Sequence, residues 1–205
     1  MTASFGSVPI PFVPQSTQDT ELLRQIGFLP GLKEMLTIRQ VHALEHATVR
    51  VMEEMAPTPL ARQRVEGVSG MSTEQGFYLY GTTDVAELRR AVPEALRRLV
   101  GGDWDLAVHP RCGTNLSVNL LLTLGLGAGL GWFLPKDPLG QALGYGMAAI
   151  AASSLAPDMG SLTQRHITTA IPFNLTVESI TAERDRWGQP THFVRIRWID
   201  VERIA

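Results

Sequence analysis

Hydrophobic and polar positions along the chain sort into three stretches of different character. In the first, apolar residues recur at helical spacing. Thr17–Ile26 reads as a short helix capped by Ser16 or Thr17, and Leu32–Met55 as one long helix without Gly or Pro, ended at Ala56-Pro57. The pattern then changes. Val65–Val68 and Gly76–Tyr80 alternate around Gly70-Met71-Ser72 and predict a β-pair. Asp84 caps a further predicted helix that runs to about Val100 through Pro93 and is stopped by Gly101-Gly102. Leu106–Val108 predicts a short strand. This succession of helices and strands points to a small α+β layer.

The second stretch is almost without charge. Between Arg111 and Lys136 lie 24 uncharged residues, and between Asp137 and Asp158 another 20. A helix of roughly 20 residues spans a ~30 Å hydrocarbon core. Leu116–Leu134 and Leu139–Leu155 therefore predict a transmembrane helical hairpin, turned at Pro135-Lys136-Asp137-Pro138. A buried helical pair in a soluble core is the competing reading. Gly125, Gly127, Gly129 and Gly131, then Gly140 and Gly144, give the small-residue spacing that lets such helices approach closely. They would pack the hairpin on itself or on a partner membrane protein. Asp158, after Pro157, reads as a cap for the turn that follows.

The third stretch alternates. In Thr191–Asp200, Phe193, Arg195, Arg197 and Ile199 point one way, and His192, Val194, Ile196 and Trp198 the other. Asn174–Ala182 is its expected partner strand. The predicted organisation is a loose tail at 1–16, a cytoplasmic α+β domain at 17–114, the membrane hairpin at 115–157 and a C-terminal β-hairpin tail at 158–205.

Charge sharpens this picture. The formal net charge is −2, which lacks the basic footprint of a nucleic-acid binder. Met1–Pro14 has no basic segment and holds three prolines, so it does not read as a signal peptide. The hairpin itself is then the expected targeting element and the lipid bilayer the expected partner. Basic residues lie on both sides of the hairpin and only Lys136 in its turn, which places both termini in the cytoplasm.

Two segments carry candidate chemistry. In His42-Ala43-Leu44-Glu45-His46, the histidines are four apart and project from one helical face, shared with Met35, Ile38 and Val49. Two imidazoles and a carboxylate on an otherwise apolar face are costly unless something compensates them, and a divalent metal does so. The pattern is the inverse of H-E-x-x-H and occurs in one class of zinc peptidases. Helical His–Glu ion pairing is the plainer explanation. The second segment is His109-Pro110-Arg111-Cys112-Gly113-Thr114-Asn115, just ahead of the first apolar span. It holds the only thiol of the chain, so no internal disulfide can form. His109 and Cys112 have a spacing able to hold one metal, and Arg111 favours the thiolate. A buried free cysteine is the alternative there.

Together the two motifs resemble a group of uncharacterised bacterial membrane proteins. One branch is cyanobacterial, with a HALEHAT-like form. The other is the YqhQ-like branch of metal-dependent-enzyme candidates, with H-G-A-E-H-K and H-P-R-C-G-T-S. Gln164-Arg165-His166-Ile167-Thr168-Thr169 is also similar to the cyanobacterial branch. The resemblance implies a shared metal site and a membrane location, without a reaction.

The expected site has zinc held by His42, His46 and Cys112, with Glu45 as general base, a Cys-His-His set similar to that of peptide deformylases. His109 is a fourth ligand, a supporting group or an oxyanion donor. A fourth ligand would close the site into a structural one. His166 and His192 read as interfacial and strand residues. The expected function is a membrane-anchored, peptidase-like zinc hydrolase at the cytoplasmic face of a bacterial inner or thylakoid membrane. The alternative is a non-enzymatic scaffold or assembly subunit with a structural metal.

Overall fold

The fold is taken from a computed structural model that describes residues 13–201. Most of the tail expected at 1–16 lies outside the described residues. After the short helix α1 (Gln18–Ile26) comes α2 (Leu32–Met55), whose bounds match the uninterrupted sequence run. Leu36, Val41, Leu44, Ala47 and Val51 of α2 are all buried. Thr58 then accepts a hydrogen bond from the Ala61 amide and, with Pro59 in the first turn, starts α3 (Pro59–Glu66). The strand expected at Val65–Val68 is therefore wrong. Val65 lies in the last turn of α3, and the first strand begins at Ser69.

The β-pair itself is present as β1 (Ser69–Thr73) and β2 (Gly76–Tyr80), turning at Glu74-Gln75 instead of at Gly70-Met71-Ser72. The Asp84 carboxylate accepts the Ala86 amide hydrogen and caps α4 (Val85–Val100). Its apolar stripe, Leu88, Ala91, Val92, Ala95 and Leu99, is fully buried, and the helix packs on α2. Trp104–Ala107 is a 3-10 turn and not the expected strand, since no strand of the sheet pairs with it.

The helical hairpin consists of α5 (Gly113–Phe133) and α6 (Pro138–Thr163), followed by a π-helical turn, Gln164–Thr168. The hairpin is longer than the expected 115–157. Pro157 and Asp158 lie inside α6, so Asp158 caps nothing. The Asp137 carboxylate accepts from the Leu139 and Gly140 amides and starts α6. Gly140, Gly144, Ala148, Ala152, Ala156 and Gly160 form its buried stripe, and Gly127 and Gly131 are the buried positions of α5. Among the described residues one helix, α5, is long and apolar enough to cross a membrane, with mean hydropathy 1.5 in its best window.

The chain ends in β3 (Leu175–Arg184) and β4 (Pro190–Trp198), the expected C-terminal hairpin. It is not a separate tail. β4 pairs with β2, giving one antiparallel sheet of order β1-β2-β4-β3. Val194 and Ile196 join Leu44, Phe77, Leu79, Leu88 and Leu99 in a single core. His192 is buried opposite Leu79 and Ala182. The fold is thus α+β, with the helical hairpin inserted between the two halves of its sheet.

Candidate metal centre

α2 sets His42 and His46 one turn apart, with ring centroids 4.3 Å from each other. The segment between the 3-10 turn and α5 then brings Cys112 to them, with Sγ 3.3 Å from His42 Nε2. One ligand atom from each of His42, His46 and Cys112 lies within 4.8 Å of the others. The other nitrogen of each ring is engaged by backbone. His46 Nδ1 is 2.7 Å from the Ala107 carbonyl oxygen, and His42 Nδ1 is 3.0 Å from that of Thr168. A carbonyl oxygen only accepts, so both Nδ1 atoms carry a proton, and Nε2 is the ring position that a cation would use.

Cys112 sits at the N-cap of α5, and its sulfur accepts the Thr114 amide hydrogen at 3.4 Å. Burial pushes the thiol up. The neighbouring His46 and the Thr114 contacts outweigh that and hold it below its ordinary value. The chemistry of the set, two imidazoles with Nδ1 held by backbone and an acidified thiol, fits zinc.

Glu45 is 8% exposed, and its Oε2 accepts a 2.5 Å hydrogen bond from Ser72 Oγ. Burial raises its pKa, against the opposing pull of Ser72 and His42. Gly70 makes room for the carboxylate. A Cβ there would stand 2.0 Å from Oε1, so any side chain would displace it. Glu45, Ser72, His42, His46, His109 and Cys112 line a cavity of about 660 Å³, with Ile38 and Val49 as apolar wall.

His109 is buried beside this group and stands outside the three-residue cluster, although its ring centroid is 5.7 Å from that of His46. Its Nδ1 accepts the Arg111 amide hydrogen at 3.3 Å, which leaves the proton of the neutral ring on Nε2. Burial first, then His46, Arg111 and Arg50, push its pKa down to about 4. His166 is exposed and takes no part in the cluster.

The segment carrying His109 and Cys112 is held from two sides. From α2, Arg50 donates to the Asp105 and Val108 carbonyls at 2.8 and 3.3 Å, and Glu53 pairs with Arg111. From the end of α6, the fully buried Gln164 accepts the His109 amide hydrogen at 2.8 Å and donates to Asn115 Oδ1 at 2.9 Å. Gly70, Ser72, Gln164 and the two carbonyls escape a motif search. Of these, Gln164 and Thr168 fall in the Gln164–Thr169 segment that the resemblance had picked out.

The family described as a domain of unknown function (DUF6391) matches residues 37–180. That range includes His42, Glu45, His46, His109, Cys112, Gln164 and both hairpin helices. An uncharacterised protein of Picosynechococcus sp. (strain ATCC 27264 / PCC 7002 / PR-6) is 55% identical over 194 residues, covering 93% of this chain and 94% of its own. No solved structure matches the chain.

Proposed function

The chain belongs to the DUF6391 family, and we propose that it is a membrane-anchored, zinc-dependent hydrolase at the cytoplasmic face of a bacterial inner membrane. One observation carries the reading. Three ligand atoms converge in an open cavity beside a buried carboxylate, and the fourth nearby candidate, His109, stands aside. Three protein ligands with one open position mark a catalytic zinc, whereas a structural zinc has four. Zinc held there would supply Lewis acidity and a water of lowered pKa.

Each residue then has a role. The Ala107 and Thr168 carbonyls orient the two imidazoles. Glu45, its pKa raised by burial, is a stronger proton acceptor than an ordinary carboxylate, which suits a general base. His109, neutral with its proton on Nε2, is a hydrogen-bond donor for developing negative charge. The apolar outer surface of the hairpin supports the anchoring. Leu116, Leu121 and Ile150 are each at least two-thirds exposed, at 74%, 68% and 73%. Such a surface needs lipid or another protein to cover it. The shared H-x-x-E-H and H-P-R-C-G-T motifs extend the reading toward the YqhQ-like branch.

A second reading, an assembly subunit with a structural metal, draws on Gly125 and Gly129, which face open space. Close approach of a partner helix would use them.

Elemental analysis of the purified protein, with turnover of unfolded casein, separates the two. The hydrolase reading expects about one zinc per chain, lost in His46→Ala and Cys112→Ala and kept in His109→Ala. Glu45→Gln should keep the metal and lose turnover by a factor of about 10² or more. If wild type turns over nothing and Glu45→Gln loses zinc, Glu45 is a support for a structural metal and the subunit reading stands.

A further inference from the structure

Among the described residues the sheet has two edges without a paired strand, and they are built differently. β3, at one end, carries Glu178, Glu183 and Arg184 and has an irregular register between Val177 and Ser179. Charges and bulges are the means by which proteins stop an edge from pairing with another chain. β1, at the other end, reads Ser-Gly-Met-Ser-Thr, with neither charge nor proline. Its register with β2 runs unbroken from Ser69↔Tyr80 to Thr73↔Gly76. Ser69, Gly70 and Met71 are exposed.

The unguarded edge borders the candidate site. Ser69, Gly70 and Ser72 line the same cavity as His42, His46 and Cys112. Thr73 and Gly76 flank a two-residue turn, so Ser69, Met71 and Thr73 exchange their backbone hydrogen bonds with β2. By the same alternation the amide and carbonyl groups of Gly70 and Ser72 point to the free side. Their side-chain positions face Glu45, through the Ser72 hydrogen bond and the close approach at Gly70.

We propose that β1 is a substrate-binding edge, and that the substrate is an extended polypeptide which pairs with Gly70 and Ser72 as a fifth strand. Main-chain pairing supplies affinity with little demand on sequence, and it lays a peptide bond along the cavity. The inference rests on the hydrolase reading above and names the substrate class of that site.

The test uses the full chain, zinc-loaded, in lipid nanodiscs, with fluorescein-labelled unfolded casein as probe. Casein should be cut, and mass spectrometry gives the cleavage points. A decapeptide spanning one of them should bind the Glu45→Gln variant. Peptides N-methylated at alternate residues should then divide into two sets. One set, whose amides face β1, should bind about tenfold more weakly per lost hydrogen bond, and the other should bind as the parent does. Equal effects in both sets overturn the inference. So does casein left uncut and unbound by protein carrying one zinc per chain, an outcome that leaves a hydrolase of another substrate class standing. A cross-link joining the β1 strands of two chains also overturns it, since a second copy then occupies the edge. Strand-type binding by protein that takes up no zinc supports the edge and overturns the hydrolase.

Discussion

At the scale of single residues, His46 and His109 differ less in sequence than in surroundings. Both were candidate ligands. His46 donates from Nδ1 to the Ala107 carbonyl and so presents Nε2, whereas His109 has its Nδ1 turned to the Arg111 amide. The cysteine and the two helical histidines were legible because helical periodicity puts positions four apart on one face, and because a thiol in a Pro-Arg-Cys-Gly turn is conspicuous. The role of His109 was not, since it depends on backbone groups that carry no residue code. Its burial makes a prediction about pH. In the zinc-free chain His109 stays neutral down to about 4, against an ordinary value of 6.5. The unfolded chain therefore takes up the proton first. This contribution to stability is fully present above pH 6.5 and is lost as pH falls toward 4. Denaturant midpoints of zinc-free protein should decline over that window, and less steeply in His109→Gln. Identical slopes in both proteins would contradict the assignment.

At the scale of elements, the hairpin shows what spacing reveals and what it hides. The glycines announced close helix packing, but a run at every second position cannot all face one way. Two residues along a helix is a rotation of about 200°. Gly127 and Gly131 take the buried side, and Gly125 and Gly129 the open one. A Cβ on Gly127 would lie 2.3 Å from the Tyr145 ring, while one on Gly129 meets nothing within 4 Å. Gly127→Ala should then cost about 1–3 kcal/mol through overpacking. Gly129→Ala should be neutral or slightly stabilising, unless a partner helix uses that face. Thermal unfolding in detergent, followed by helical circular dichroism, compares them, and equal losses would place the packing face elsewhere. The missed helix α3 did have a signal, the Thr58-Pro59 start, which two valines three apart obscured. The union of β4 with β2 had none, because pairing between strands more than a hundred residues apart leaves no local pattern.

At the scale of the whole molecule, a hairpin with few charges interrupts an α+β fold whose sheet closes only after the chain has returned from it. The expected outcome is an integral membrane protein. Alkaline carbonate should leave it in the membrane pellet and detergent should release it, with reporters fused to either end read in the cytoplasm. Release by carbonate alone would mean that the hairpin's apolar surface is covered by protein and not by lipid. The arrangement of carbonyls around the histidines has one more consequence. The Ala107 oxygen lies just before the hairpin and the Thr168 oxygen just after it, while Cys112 caps its first helix. Hairpin and candidate site therefore cannot be parted with scissors. A chain cut off where α5 begins keeps both histidines of α2 but forfeits the His42 orienter, the Gln164 brace and the Thr114 contacts of the thiol. What is left is a pair of imidazoles without a setting, so a fragment lacking the hairpin is a different molecule from the whole chain.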